Sequence, residues 1–112
     1  MLAILGASLT IAFGLFGALR PRVAASVVGI VPLGALGMSE VRATYGGLFI
    51  ALGLACLLLN DSSAYSVAAS AWSGAACLRI VSFILEKDGR GLVIGGFLIE
   101  LVMACLLFSS VI

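Results

Sequence analysis

The sequence predicts an all-α membrane protein: a four-transmembrane-helix bundle forming a single domain over residues 1–112, with a short interfacial or re-entrant segment after helix one. Composition is the first observation behind this. Hydrophobic residues make up 63% of the chain and there are 14 glycines, so about three quarters of it is apolar, against about 45–50% in soluble domains. Charge is the second, because Asp, Glu, Lys and Arg together make up 10%, too few to cover such an apolar surface in water. The third is spacing, since apolar runs of roughly 20 residues, the length that crosses a bilayer as a helix, alternate with short charged or polar breaks. Six Lys and Arg against five Asp and Glu leave a net charge of +1, without the basic surplus a nucleic-acid binder needs.

The first span is read as 2–19, stopped by Arg20-Pro21-Arg22. It is not read as a signal peptide, because no positive segment precedes it and its arginines follow the apolar run. Residues 23–37 are apolar but short, and Pro32 with Gly29, Gly34 and Gly37 interrupts them, hence the interfacial or re-entrant assignment. The second span is read as 39–59, with Ser39 as its N-cap and Asn60-Asp61-Ser62-Ser63 as its stop. The third occupies 64–85 and ends in Glu86-Lys87-Asp88-Gly89-Arg90; the fourth occupies 91–112.

In this topology Arg20, Arg22, Arg42, Arg79, Lys87 and Arg90 all fall on the side of loops 1–2 and 3–4. Cytoplasmic flanks collect Lys and Arg, so those loops are expected in the cytoplasm and both termini outside.

The same composition narrows the chemistry. There is no histidine, which removes the commonest general base and metal ligand, and no metal or other cofactor is expected. Cys56, Cys77 and Cys105 are scattered singly through apolar runs without a C-x-x-C pair and read as packing residues.

Two charges lie too deep for ordinary flanks. Glu100 is nine residues past Gly91, about 13 Å along a helix, and Arg79 is seven residues before Glu86, about 10 Å. A charge near a helix centre costs about 2.5–3.5 kcal/mol unless it snorkels or finds a partner. Only a tight loop separates the third and fourth helices, so they should be antiparallel neighbours with Arg79 and Glu100 paired. Glu40 and Arg42 open the second span. Arg42, Tyr45 and Phe49, at i, i+3 and i+7, share a face, while Glu40 points about 200° away from Arg42. Glu40, Arg42, Tyr45, Arg79 and Glu100 are therefore the candidate binding residues, an intramembrane polar cluster whose two positive and two negative charges balance. On helix three the stripe Trp72, Ala75, Arg79, Ser82, Glu86 would turn polar groups toward it. A structural ion pair and an interfacial first turn would need the same residues, so both roles stay open.

Small residues recur at helical spacing: Gly46 and Gly53 a heptad apart, Gly91 and Gly95 four apart, and Ser66, Ser70, Gly74 at every fourth position. Such faces let membrane helices approach closely, within one chain or between subunits.

The string Glu40-x-Arg42-x-x-Tyr45-Gly46-Gly47, with Arg79, Asp88-Gly89 and Glu100 downstream, resembles a family of bacterial four-helix integral membrane proteins of unknown function. The resemblance covers most of the chain from Ser39 onward; helix one matches it only in hydrophobicity. It implies the four-helix architecture and the importance of these positions, and it implies no activity; the expected location is the bacterial inner membrane. Size and span number are also similar to the small multidrug exporters, but those carry their key glutamate on helix one, which here has no charge before Arg20.

Absence of a soluble domain, short loops and small-residue faces point to an accessory or interaction subunit that docks on a larger membrane assembly and contacts membrane lipids. The alternative is a small transporter or ligand-binding bundle built on Arg79 and Glu100. An enzyme using Glu40, Tyr45 or Glu100 as acid and base ranks last, without a nucleophile motif or metal cluster beside them.

Overall fold

The computed structural model describes residues 2–111. The protein is all-α, with no strand among the described residues and four helical stretches long and apolar enough to cross a membrane: Leu2–Leu19, Gly34–Leu59, Ser62–Leu85 and Arg90–Val111. The burial pattern is that of a multi-pass membrane protein. Among the described residues, eight of the fourteen buried apolar residues are alanine, while Leu, Ile, Val and Phe dominate the exposed ones. Each large aliphatic side chain left in water forgoes about 1.5–3 kcal/mol, so such a surface is stable only where lipid is the solvent.

The chain forms two compact units, residues 2–6 with 59–111 and residues 7–58, so the first helix is shared between them. Each unit is described by itself.

In the unit of residues 7–58, helix α1 (Leu2–Leu19) contributes its last three turns, Arg20 breaks the helix, and α2 (Pro21–Val27) starts with Pro21 in the first helical position, where its missing N–H costs nothing. A Schellman motif closes α2. The Gly29 amide donates to the Ser26 carbonyl and the Ile30 amide to the Ala25 carbonyl, and Gly29 takes φ = 78°, a left-handed conformation suited to glycine. Extended residues 30–33 lead to α3 (Gly34–Arg42), which runs through a π-helical turn (Ala43–Gly47) into α4 (Leu48–Leu59).

This corrects the second span. It starts at Gly34, five residues earlier than expected; Leu33 is its N-cap, and Ser39 lies inside α3. The expected segment 23–37 thus gives up its last four residues to the second span. At 26 residues that span is about 39 Å long against an apolar core of about 30 Å, so its charged first turns have room at the interface.

In the other unit, α5 (Ser62–Leu85) begins two residues before the expected 64. Asp61 is the N-cap, its Oδ1 accepting a 2.8 Å hydrogen bond from the Ala64 amide. Asn60, at φ = 47°, also accepts the Tyr65 hydroxyl at 3.0 Å. At the other end, Gly89 in the left-handed region turns the chain into α6 (Arg90–Phe108), which a 3-10 turn (Ser109–Val111) prolongs. Arg90 secures this turn, donating from Nε to the Glu86 carbonyl at 3.1 Å and stacking over Phe83 at 4.6 Å.

α5 and α6 form an antiparallel hairpin. The buried or half-buried positions include Tyr65, Ala68, Ala69, Trp72, Ala76, Arg79, Ser82 and Phe83 on α5, and Val93, Gly96, Phe97, Glu100, Met103, Ala104 and Leu107 on α6. Both stripes advance by three and four residues, the spacing of a left-handed helix pair. The expected stripe holds at Trp72, Arg79 and Ser82; Ala76 takes the seam position instead of Ala75, and Glu86 is exposed.

Candidate functional site: an intramembrane ion pair and a glycine-lined π turn

Glu100 lies ten residues into α6 and Arg79 six residues before the end of α5, about 15 Å and 9 Å from the turn that joins them. Helical side chains lean toward their own N-terminus, so Arg79 reaches away from the turn, toward the level of Glu100. The pair forms as expected: Arg79 Nε donates to Glu100 Oε1 at 3.0 Å and Nη2 to Oε2 at 3.3 Å. This two-point fork fixes the relative register of the helices and leaves no net charge. The Glu100 side chain is only 10% exposed, whereas that of Arg79 is 37% exposed.

Gly96, one turn before Glu100, makes room for the pair. A Cβ there would lie 3.0 Å from the Arg79 guanidinium carbon, so a larger residue would push the end of that side chain aside by a few tenths of an ångström. The sequence carries this signal as a glycine four residues before the intramembrane Glu100.

Arg79 has five N–H donors and gives two of them to Glu100; no acceptor meets the remainder among the described residues. Arg79 also lines, through its apolar atoms, a groove of about 160 Å³ between α5 and α6, together with Ile80, Phe83, Val93, Ile94 and Phe97. An arginine with donors to spare can donate to one more oxygen-bearing group, and the apolar groove can take hydrocarbon.

Tyr45 lies in the unit of residues 7–58, in the π turn, and its ring meets Phe49 edge-on at 6.3 Å between centroids. The Leu48 amide donates to the Ala43 carbonyl, five residues back, which widens the helix by one residue per turn. Tyr45 and Phe49 remain in contact, as their spacing suggests, but Arg42, just before the widened turn, is exposed and lines a different cleft, with Arg22. Glu40 is exposed on α3 and makes no side-chain hydrogen bond or ion pair among the described residues.

Gly46 of the string serves packing, as do Gly14, Gly17 and Gly53, whereas Gly47 is exposed and a Cβ on it would meet only ordinary contact. A Cβ on Gly17 would run into the Tyr45 carbonyl, 2.5 Å from its carbon; one on Gly46 would lie 3.0 Å from the Ala18 nitrogen; one on Gly14, 2.8 Å from the Gly46 oxygen; and one on Gly53, 2.7 Å from the Ala7 oxygen. Helix one therefore presents a small-residue seam, Ala7, Thr10, Gly14 and Gly17, at three- and four-residue spacing, all buried. It is plain in the sequence once helix one is read for small residues as well as hydrophobicity.

The site thus resolves into one closed pair, Arg79 with Glu100, in one unit, and Glu40, Arg42 and Tyr45 in the other. No group of three or more Cys, Asp or Glu that could hold a metal occurs among the described residues. Comparison of the chain with protein-family models, curated proteins and solved structures found no match.

Proposed function

We propose that the protein is an interaction subunit of the bacterial inner membrane that docks on a larger membrane assembly and binds membrane lipid. The observation that carries this is the half-satisfied Arg79. An arginine at this depth with unused donors is costly in lipid, and an acceptor on a partner helix packed against it would relieve that cost. Gly74, Gly91 and Gly95 support the reading: all are exposed, and a Cβ on any of them would meet nothing within 4 Å, so these small faces remain available to another helix.

The alternative, a transporter or ligand-binding bundle built on Arg79 and Glu100, has the same donors in its favour. Against it stands size, since about 160 Å³ holds a side chain or part of an acyl chain, whereas small-molecule sites run to about 300–1,000 Å³. In the docking proposal loops 1–2 and 3–4 are cytoplasmic and both termini outside, which the distribution of Lys and Arg supports, with 23–33 an interfacial or re-entrant segment. Membership of the bacterial four-helix family that shares the E-x-R-x-x-Y-G-G string belongs to the same proposal.

The test is purification at native expression in a mild detergent, with Gly95→Leu and Arg79→Leu beside the wild type. Recovery in a larger complex that both variants weaken is expected. Recovery of the wild type solely as a free monomer would overturn the docking reading.

A further inference from the structure

Across the loop between α2 and α3, Arg22 and Arg42 line one cleft of about 460 Å³, together with Pro32, Gly34, Ala35 and Met38. Both arginines are exposed, and neither has an ion pair or side-chain hydrogen bond among the described residues. No acidic residue lines the cleft; Glu40 is two residues, or about 200° of helix, away from Arg42. Two arginines lining one cleft without a counter-charge disfavour each other, and a bound anion between them would offset that. The helix start at Gly34 adds to this, because Leu33 gives the first-turn amides no side-chain cap and no acidic residue follows in that turn.

The rim shows which anion fits. Val27, Val31, Leu33 and Leu36 are each more than 70% exposed, and the last three are next in sequence to Pro32, Gly34 and Ala35 of the cleft, so apolar surface is available to hydrocarbon near it. A headgroup phosphate in the cleft with its acyl chains along this rim satisfies both surfaces, and the volume suits a headgroup rather than a bare ion. With two cations and no carboxylate to receive an ammonium, the lining favours a lipid of net negative charge over a zwitterionic one.

We propose that the Arg22/Arg42 cleft is a binding site for the phosphate of an anionic phospholipid. The inference deepens the lipid-binding half of the reading above and rests on it; the docking half stands apart, because bound lipid and bound partner are read separately.

The experiment is native mass spectrometry of the full chain in detergent, titrated with phosphatidylglycerol, phosphatidylethanolamine or inorganic phosphate. Wild type is expected to retain phosphatidylglycerol at least about tenfold better than phosphatidylethanolamine. The double variant R22Q/R42Q should lose that preference, while R20Q and K87Q, each removing a cation from outside the cleft, keep it. R22K/R42K, which preserves both charges but not the fork, should retain part of it. Equal loss in R20Q would reduce the effect to general surface charge and overturn the site. So would a wild type that does not distinguish the two lipids, a result independent of how any variant folds. Binding of inorganic phosphate that depends on both arginines, without retention of phosphatidylglycerol, would make the ligand the free anion and overturn the lipid assignment.

Discussion

Replacing Gly17 by alanine adds one methyl group where α1 passes the π turn. The new Cβ would sit 2.5 Å from the Tyr45 carbonyl carbon and nearer still to its oxygen, whereas ordinary contact begins near 3.4 Å. Both groups belong to helix backbones, so no rotamer change relieves the clash, and the two segments must separate by about 1 Å, which forfeits a quarter to a half of each contact's dispersion energy along the seam. Overpacking of this kind costs about 1–3 kcal/mol, and two backbones in contact place Gly17 toward the upper end. The alanine regains about 0.8–1 kcal/mol of helix propensity, so the net loss should be about 1–2 kcal/mol. Gly74 supplies the control. It is also helical, but a Cβ there meets nothing within 4 Å, so Gly74→Ala should gain up to about 1 kcal/mol. Reversible unfolding in mixed micelles, followed by circular dichroism, measures both. Opposite signs are expected, and a Gly17→Ala variant as stable as Gly74→Ala would refute the assignment of the α1 glycines to close backbone contact.

The other predictions concern the ion pair, the start of α5 and the topology. Glu100→Leu alone strands the arginine and should destabilise the hairpin by about 2–4 kcal/mol, discounted from the fully buried case because Arg79 is partly exposed; Arg79→Leu with Glu100→Leu should recover most of that loss in the same unfolding assay. A double variant no more stable than the single one would exclude a simple pair. Asp61→Ala removes the cap of α5 and should cost about 1 kcal/mol, while Tyr65→Phe removes its hydroxyl bond to Asn60 and should cost about 0.5–1.5 kcal/mol. In a background without Cys56, Cys77 and Cys105, a cysteine at Ser63 should react with an impermeant maleimide added outside the cell and one at Lys87 should not; the reverse pattern would invert the topology.

Hydropathy made the spans legible because each residue's preference for lipid is nearly independent of its neighbours, and Leu2–Leu19 ends where the sequence places it. The Arg79–Glu100 pair was legible for a related reason. Two opposite charges too deep for water, on helices joined by a tight turn, have few partners other than each other. The start at Gly34 was not, because Ser39 is as good a cap as any by type, and only the contact of Gly37 with Pro32, whose carbonyl carbon would lie 2.9 Å from a Cβ, shows how closely the loop packs on the first turns of that helix.

By itself, then, the sequence determined the apolar solvent, the four apolar spans and the need for an intramembrane partner to a deep charge, all of which follow from transfer energies and the 1.5 Å rise of a helix. The tertiary structure alone decided that Gly96 makes room for Arg79, that the E-x-R-x-x-Y-G-G string contains a π turn packed on Gly14 and Gly17, and that Arg22 and Arg42 share a cleft. These depend on which backbones approach within about 4 Å, a property of pairs of segments distant in sequence that single-residue energies do not contain.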